Sequence, residues 1–426
     1  MAELFPFKGI RYNQKISGDL SLNVCPPFDS ISSTLQRKLY DVSNYNTVRL
    51  ELGLRGLDED PYFSAAETQK KWIQDGVLIQ DDSPSIYVTE EEFLYEDKII
   101  TRKGFICAIK VEDYSKRIVM PHEKTRDKWV EDRFKLMKVA KSNYSPLLCL
   151  YKDDSRETVA NLVKSISGKK PYIDIAPDGL QKIKVWRVTD RGTISLICKK
   201  FIDSKIYIAD GHHRYEAGLR YLSNIRSKRE INSDESINYR MIQLISMNEP
   251  GLITRSYHRY LRMNSDDLTD LEKKITLNKN IQSISKSNIK IHENFVNEFY
   301  ENVCEEKNFN YIHFGIIIKN ANDIRTYKYT ENNLSQINDY TFIHENFMPQ
   351  NFKSNYEENM MFETDLKEIN NLLRSDGNYA ILMMRPIPMN SFLSAVNSGE
   401  RLPPKVTNFL PKPPAGLVFQ SLEGKI

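Results

Sequence analysis

What this 426-residue sequence lacks narrows its class first. It has only five cysteines, Cys25, Cys107, Cys149, Cys198 and Cys304, scattered singly with no Cys-x-x-Cys pair. An odd, dispersed set argues against a disulfide framework or a structural zinc site. The N-terminus, MAELFPFKGIRYNQ, has no apolar run of the kind a signal peptide needs, because Glu3, Pro6 and Lys8 interrupt it. The longest apolar stretches, such as YAILMM at 379–384, are far too short to span a bilayer. No internal repeat and no Gly-rich linker is present. The chain also lacks an excess of either charge, with 60 Lys+Arg against 57 Asp+Glu and a net charge of +3. That balance creates no field that would make nucleic acid or anionic lipid the default partner. A reducing cytoplasm and a small-molecule partner are the expectation, with no membrane.

What is present is the composition of a folded protein. Hydrophobic residues make up 40% and charged residues 27%, enough apolar surface to offset chain entropy. The length suggests two or three domains, and we divide the chain at 1–115, 116–265 and 266–426. In the first segment, Pro26-Pro27 and Asp29-Ser30 read as an extended entry and cap to a helix over STLQRKL. TVRLEL at 47–52 reads as a strand, and FSAAETQKKWIQDG at 63–76 as a helix stopped by Gly76. RKGFICAIKVED at 102–113 reads as a strand. In the middle segment, EDRFKLMKVAKS and ETVANLVKSI read as helices and LLCLY as a buried strand. KVWRVTD and ISLICKKF, separated by Arg191-Gly192-Thr193, read as a hairpin. The third segment is rich in Asn, Lys, Ile and Ser over 266–345. It ends in the strand YAILMM and a proline-punctuated tail, FLSAVNSGERLPPKVTNFLPKPPAGLVFQSL, expected to be extended rather than helical.

Three clusters carry chemistry. Asp210-Gly211-His212-His213-Arg214-Tyr215 follows the apolar strand IYIA and opens a helix whose buried face should include Tyr215, Leu219 and Leu222. A strand, a tight turn and a helix N-terminus aim free N–H groups at one small volume. Two imidazoles and a guanidinium beside them suit phosphate. The competing readings are a turn whose His and Arg satisfy neighbouring backbone, and a zinc site completed by distant ligands. Pro121-His122-Glu123-Lys124-Thr125, with Glu131-Asp132-Arg133 on the following helix, offers a carboxylate able to take a proton from a hydroxyl nucleophile. Arg133 could meet phosphate or hold Glu123; a solvated charged loop is the plainer alternative. In Pro404-Lys405-Val406-Thr407, Lys405 and Thr407 alternate in an extended segment and could face one cleft, or simply lie on a surface tail. His258, in SYHRYL, reads as a structural histidine.

The ordered series FKGIRYN, PPFDSIS, NTVRLELG, PHEKT with EDR, SPLLCLY, IYIADGHHRYEAGL, NEPGLITRSYHRYL and PPKVTNFLPKPPAGLVF closely resembles domain-of-unknown-function family 1015, from about residue 4 to about 422. A narrower resemblance is to the archaeal ADP-dependent free serine kinases of the ParB/sulfiredoxin superfamily. These carry Pro-His-Glu, Val-Asp-Gly-His-His-Arg and Pro-Lys-Thr-Thr segments in the same order; here Val406 stands at the first threonine of the last. The resemblance implies an α+β fold with a ParB/sulfiredoxin-like mixed sheet core between flanking N- and C-terminal regions. It implies Glu123 as catalytic base, Asp210 through Arg214 as holders of nucleotide phosphate, and Lys405 and Thr407 at the acceptor. Joined to the reading of the residues, this makes Glu123, Asp210 and His213 the expected catalytic set, and Gly211, His212, Arg214 and Arg133 the expected phosphate-binding set. It further implies ADP or ATP as donor, Mg2+ with ligands unassigned, and free L-serine or a similar hydroxyl compound as acceptor. A non-catalytic nucleotide-binding regulator is the alternative, and nucleic acid is not expected as a partner. The oligomeric state is left open.

Overall fold

Alternation along one long strand organises the first part of the molecule. The computed structural model describes residues 1–54, 60–177, 181–285, 291–304, 307–321, 323–333 and 337–426. These form two units, Met1–Ile253 together with Phe409–Ile426, and Thr254–Asn408. In the first unit, the sheet strands are β1 (Leu4–Phe5), β2 (Ile86–Tyr95), β3 (Lys98–Lys110), β4 (Val119–Met120), β5 (Leu147–Tyr151), β6 (Ile173–Ile175), β7 (Gln181–Val188), β8 (Ile206–Asp210) and β9 (Tyr239–Ser246). Their order is β4-β8-β5-β9-β3-β2-β7-β6, with β1 added to β3. β8 runs parallel to β4 and antiparallel to β5, so the sheet is mixed. Strands on either side of residue 115 share this sheet. Along β3, Phe105, Cys107 and Ile109 enter one hydrophobic cluster, while Ile106 and Ala108 enter the other. A period of two places successive side chains on opposite faces, so both faces must be covered. Burying each large apolar side chain contributes about 1.5–3 kcal/mol.

The covering helices include α1 (Ser33–Val42), α2 (Pro61–Gln74), α3 (Asp127–Ala140), α4 (Glu157–Ile166), α5 (Arg191–Lys200) and α6 (His212–Arg226). Two segments depart from the sequence expectation. TVRLEL is not a strand: Val48–Glu51 is a helical turn. The Asn46 side chain accepts from the Val48 N–H at 2.9 Å and donates to the carbonyls of Leu22 and Val24, a local competitor that outweighs β-propensity. ISLICKKF is not the second arm of a hairpin but lies on α5. Asp190 caps that helix by accepting from the Thr193 N–H, and Ile194, Ile197 and Phe201 bury one helical face. The terminal segment returns to the first unit as expected for a docked chain. Ala415 exchanges backbone hydrogen bonds with Cys25, and Phe419 with Ile10.

The second unit is a fully antiparallel sheet of β10 (His258–Met263), β11 (Ile281–Ser285), β12 (Tyr311–Asn320), β13 (Asp323–Asn332), β14 (Met361–Glu363) and β15 (Asn378–Met383), ordered β11-β13-β12-β15-β10-β14. It carries α7 (Ser265–Leu277), α8 (Phe295–Cys304), α9 (Leu366–Arg374) and α10 (Met389–Ser398). Residues 286–290 of the Asn- and Lys-rich stretch lie outside the described residues. The start of the proline-punctuated tail is helical, contrary to expectation. Its prolines flank α10 rather than interrupt it, Pro388 preceding the helix and Gly399 ending it in the left-handed region. Among the described residues no helix is long and apolar enough to cross a membrane.

His258 is a buried structural histidine, its Nδ1 accepting from the Met384 N–H at 3.0 Å. The Nε2 of His344 accepts from the Arg259 Nε at 3.4 Å. Burial first, then the nearby Arg259 cation, pushes both imidazoles down to about 3, against about 6.5 in an unfolded chain. Between those values the unfolded chain binds protons that the folded unit refuses. The two histidines therefore contribute stability that is fully present above about pH 6.5 and is lost progressively toward pH 3. Hydrogen exchange over residues 254–408 should show opening that accelerates through this window. The double variant His258→Gln, His344→Gln should flatten the dependence; an unchanged profile would refute the assignment.

Candidate functional site

β8 ends at Asp210 and α6 begins at His212, so the whole change of direction falls on Gly211, whose φ is +97°. A side chain there would meet Leu147 Cδ2 at 2.7 Å and Arg214 Nη2 at 2.9 Å. Only glycine fits this turn without strain. The first turn of α6 is then clamped by the segment after β4. The backbone N–H of His122 donates to His212 Nε2 at 3.3 Å, and that of Arg126 donates to His213 Nε2 at 3.1 Å. Thr125 Oγ1 donates to the Glu216 carboxylate. His122 is itself buried, its Nδ1–H donating to the Ile208 carbonyl at 2.8 Å, and its ring meets that of His212 edge-on at 4.5 Å.

This clamp decides where Glu123 goes. Because His212 Nε2 accepts a hydrogen bond, the proton of the neutral ring sits on Nδ1. Nδ1 faces Glu123 Oε2 at 4.0 Å. The Glu123 side chain is 21% exposed, so it is reachable from solvent yet held beside the helix N-terminus. The sequence reading that His212 and His213 satisfy neighbouring backbone therefore describes their Nε2 atoms.

Arg214 turns back rather than outward. Its Nη1 donates to Ser145 Oγ at 2.8 Å and the Pro146 carbonyl at 2.9 Å, and its Nη2 to Asp210 Oδ2 at 2.8 Å. The other carboxylate oxygen, Oδ1, receives Lys412 Nζ at 2.8 Å, and Lys412 lies 3.8 Å from Asp29 Oδ2. Ser145 Oγ also donates to Glu51 Oε1 at 3.1 Å. Arg133 does not hold Glu123. It donates to the Glu51 carbonyl at 2.8 Å and twice to Asp132 Oδ2, with its guanidinium 4.1 Å from the Phe28 ring centroid. A chain of alternating charge thus runs from Asp132 to Asp29, and both arginines expected to bind phosphate serve within it.

Sequence reading missed Lys412, Asp29, Glu51 and Ser145. The signal for Lys412 was its place between Pro411 and Pro413 in a tail whose following residues, Ala415 to Phe419, are buried. Lys405 and Thr407 belong to the second unit. Lys405 has φ +57°, and its Nζ lies 5.2 Å from the Tyr257 ring centroid. Magnesium carried by a nucleotide is bound largely by phosphate oxygens and water, and no all-protein cage for it is seen among the described residues. Both Asp210 oxygens are held by cations.

The first unit therefore presents a mixed-sheet α+β body with a charge-paired, histidine-bearing turn at a helix N-terminus and an adjacent carboxylate that solvent can reach. The chain belongs to the family described as Protein of unknown function (DUF1015), whose profile matches residues 4–343. No curated protein matches it. Among solved structures, it is similar to a free serine kinase mutant in complex with ADP, at 9% identity and a TM-score of 0.36 over 73% of this chain and 91% of that one. It is also similar to SbnI with a C-terminal truncation from Staphylococcus aureus, at 11% identity and 0.35 over 71% and 82%. A conserved hypothetical protein from Pyrococcus furiosus gives 10% and 0.35 over 73% and 95%. Likeness this remote assigns no activity.

Replacing Gly211 by Ala should cost about 1–3 kcal/mol, since strain and a clash with Leu147 and Arg214 combine. Gly168, just past the end of α4 and also at positive φ (+72°) but with nothing within 4 Å of its Cβ position, is the control: Gly168→Ala should cost only the conformational part, about 1–2 kcal/mol. Urea unfolding of the two variants compares them, and equal losses would show that the turn has room to spare.

Proposed function

We propose that this protein is a nucleotide-dependent small-molecule kinase acting on an alcohol, with free L-serine the leading acceptor and ADP or ATP the donor. The observation that carries the reading is the approach of Glu123 to His212 at the N-terminus of α6, which puts a carboxylate and a set of oriented donors in one place. The order of the Pro-His-Glu and Asp-Gly-His-His-Arg segments supports it as well.

In this mechanism Glu123 takes the hydroxyl proton as the acceptor oxygen bonds to the terminal phosphorus, and the bond from phosphorus to the departing nucleotide breaks. Backbone N–H groups at the start of α6 meet the charge that spreads over the transferring oxygens. Lys412 is the cation placed to join them, exchanging Asp210 for phosphate. Asp210, Gly211 and Arg214 set the shape of the turn. His212 orients Glu123, and His213 holds the loop that carries it. Magnesium would come with the nucleotide, held largely by phosphate oxygens and water, and would neutralise phosphate charge.

Phosphorus NMR of the purified protein with ADP or ATP, magnesium and a panel of hydroxy amino acids should reveal a new phosphomonoester, O-phosphoserine first. Glu123→Gln should lower kcat by about 10²–10⁴-fold, the range for losing a general base, while nucleotide affinity stays within about twofold. A panel without product would overturn the kinase reading. Nucleotide binding with a conformational response but no product would favour the regulator instead.

A further inference from the structure

The second unit contains a cavity of about 470 Å³ that the proposed kinase chemistry does not use. Its volume falls in the range of small-molecule sites. At its base lies a buried ion pair, with Arg385 Nε 2.8 Å from Asp339 Oδ2 and Nη2 2.9 Å from Oδ1. Both side chains are almost wholly enclosed, at 1% and 6% exposure. The guanidinium also donates to the carbonyls of Asn308 at 3.2 Å and Tyr311 at 2.9 Å, and lies 4.4 Å from the Phe309 ring centroid. Its charge is therefore cancelled and its donors are engaged within the protein.

That pairing sets the charge of any occupant. Among the described lining residues Arg385 is the sole cation, and beyond Asp339 the remaining charged group is Glu400, which is exposed. The described lining residues carry one Arg against one Asp and one Glu, a net charge of −1. An anionic ligand would meet repulsion with no free cation to offset it. An uncharged ligand meets no such penalty.

Hydrogen-bonding capacity narrows the class further. Asn333 and Asn338 are occupied: the Asn333 side chain bonds the backbone of Ile337, and Asn338 caps the helical turn that follows it. α10 contributes Asn390, Ser391 and Ser394, side chains that both donate and accept. Other parts of the wall are C–H surface from Phe309, Ile337 and Ile387. A ring with hydroxyls around its edge and C–H groups on its faces matches both kinds of wall. We propose that this cavity binds an uncharged polyhydroxylated ring, either a free sugar or the sugar of a nucleoside. The inference does not rest on the kinase reading.

Titration calorimetry of the full-length protein tests it in two arms, one with neutral monosaccharides and one with uncharged nucleosides, each compound beside its phosphate ester. At least one neutral compound should bind, and its ester should bind this cavity about tenfold more weakly or worse, the effect of one repelled charge. Ser394 is exposed on α10, so Ser394→Trp should fill the cavity without disturbing the fold and abolish the signal. Asn390→Ala should weaken it by about 2–10-fold, as expected for one hydrogen bond. Loss in both variants also separates this site from any nucleotide site in the first unit. The proposal is overturned if both panels are silent, if binding persists unchanged in the two variants, or if an ester occupies the cavity as tightly as its parent.

Discussion

Two backbone N–H groups given to two histidine rings hold the candidate site together. The donors are His122 and Arg126, and the acceptors are His212 and His213. Each bond is modest, about 0.5–1.5 kcal/mol net, but together they fix the loop at both ends across four residues. Glu123 lies inside that span, with its carboxylate 4.0 Å from His212 Nδ1 at the start of α6. A carboxylate on an untethered loop would sample many positions and meet a reacting hydroxyl rarely. The clamp also explains adjacent histidines without metal: successive residues in the first helical turn point in different directions, and each reaches a different part of the same loop.

Behind the clamp, charges are held in alternation. Asp132, Arg133, Glu51, Ser145, Arg214, Asp210, Lys412 and Asp29 succeed one another, and most of these groups are buried or nearly so. Removing one member strands its neighbour without a partner in a poorly solvated place, typically worth 3–5 kcal/mol for a buried pair. The chain links the N-terminal region, α3, the entry to β5, the turn before α6 and the terminal segment. Segments far apart in sequence are thereby tied to the residue, Gly211, on which the turn depends. The terminal segment is thus part of the first unit's site as much as of its fold.

The strand, turn and helix from Ile206 to Arg226 were legible because their signals are local: an apolar run, Asp-Gly, then helical spacing. The mixed-sheet α+β class came instead from the resemblance carried by the ordered motifs. Reading failed where a local side chain overruled the pattern, as Asn46 does for Val48–Glu51 and Asp190 for α5. It also failed where meaning depended on a distant partner. Nothing around Arg133 reveals that Glu51 awaits it, and nothing around Lys412 reveals Asp210. Arg214 is the sharpest case. Its neighbours made it look like a phosphate ligand, whereas the fold brings Ser145 and Asp210 to its guanidinium and spends it on the turn.

That case is general in this protein. Arg102, Arg240, Arg259 and Arg385 are among its largest fully buried side chains. Arg102 is paired with Glu91 at 2.6 Å and Arg385 with Asp339. Arg240 gives its protons to carbonyl oxygens and the Met137 sulfur, and burial lowers its pKa to about 10. Arginine suits such places because its planar fork can satisfy several acceptors at once and its charge is weakly hydrated. Cations used this way are withdrawn from the surface, so a count of basic residues overstates what an anionic partner could meet. Lysine holds its charge as a compact point on a flexible stem and changes partners more readily. In the first unit that distinction falls between Arg214, which is locked into the turn, and Lys412, which rests between two carboxylates. Under the proposed kinase reading, a phosphate arriving at α6 would compete for Lys412 and leave Arg214 in place, so the turn would stay intact while the lysine changes partner.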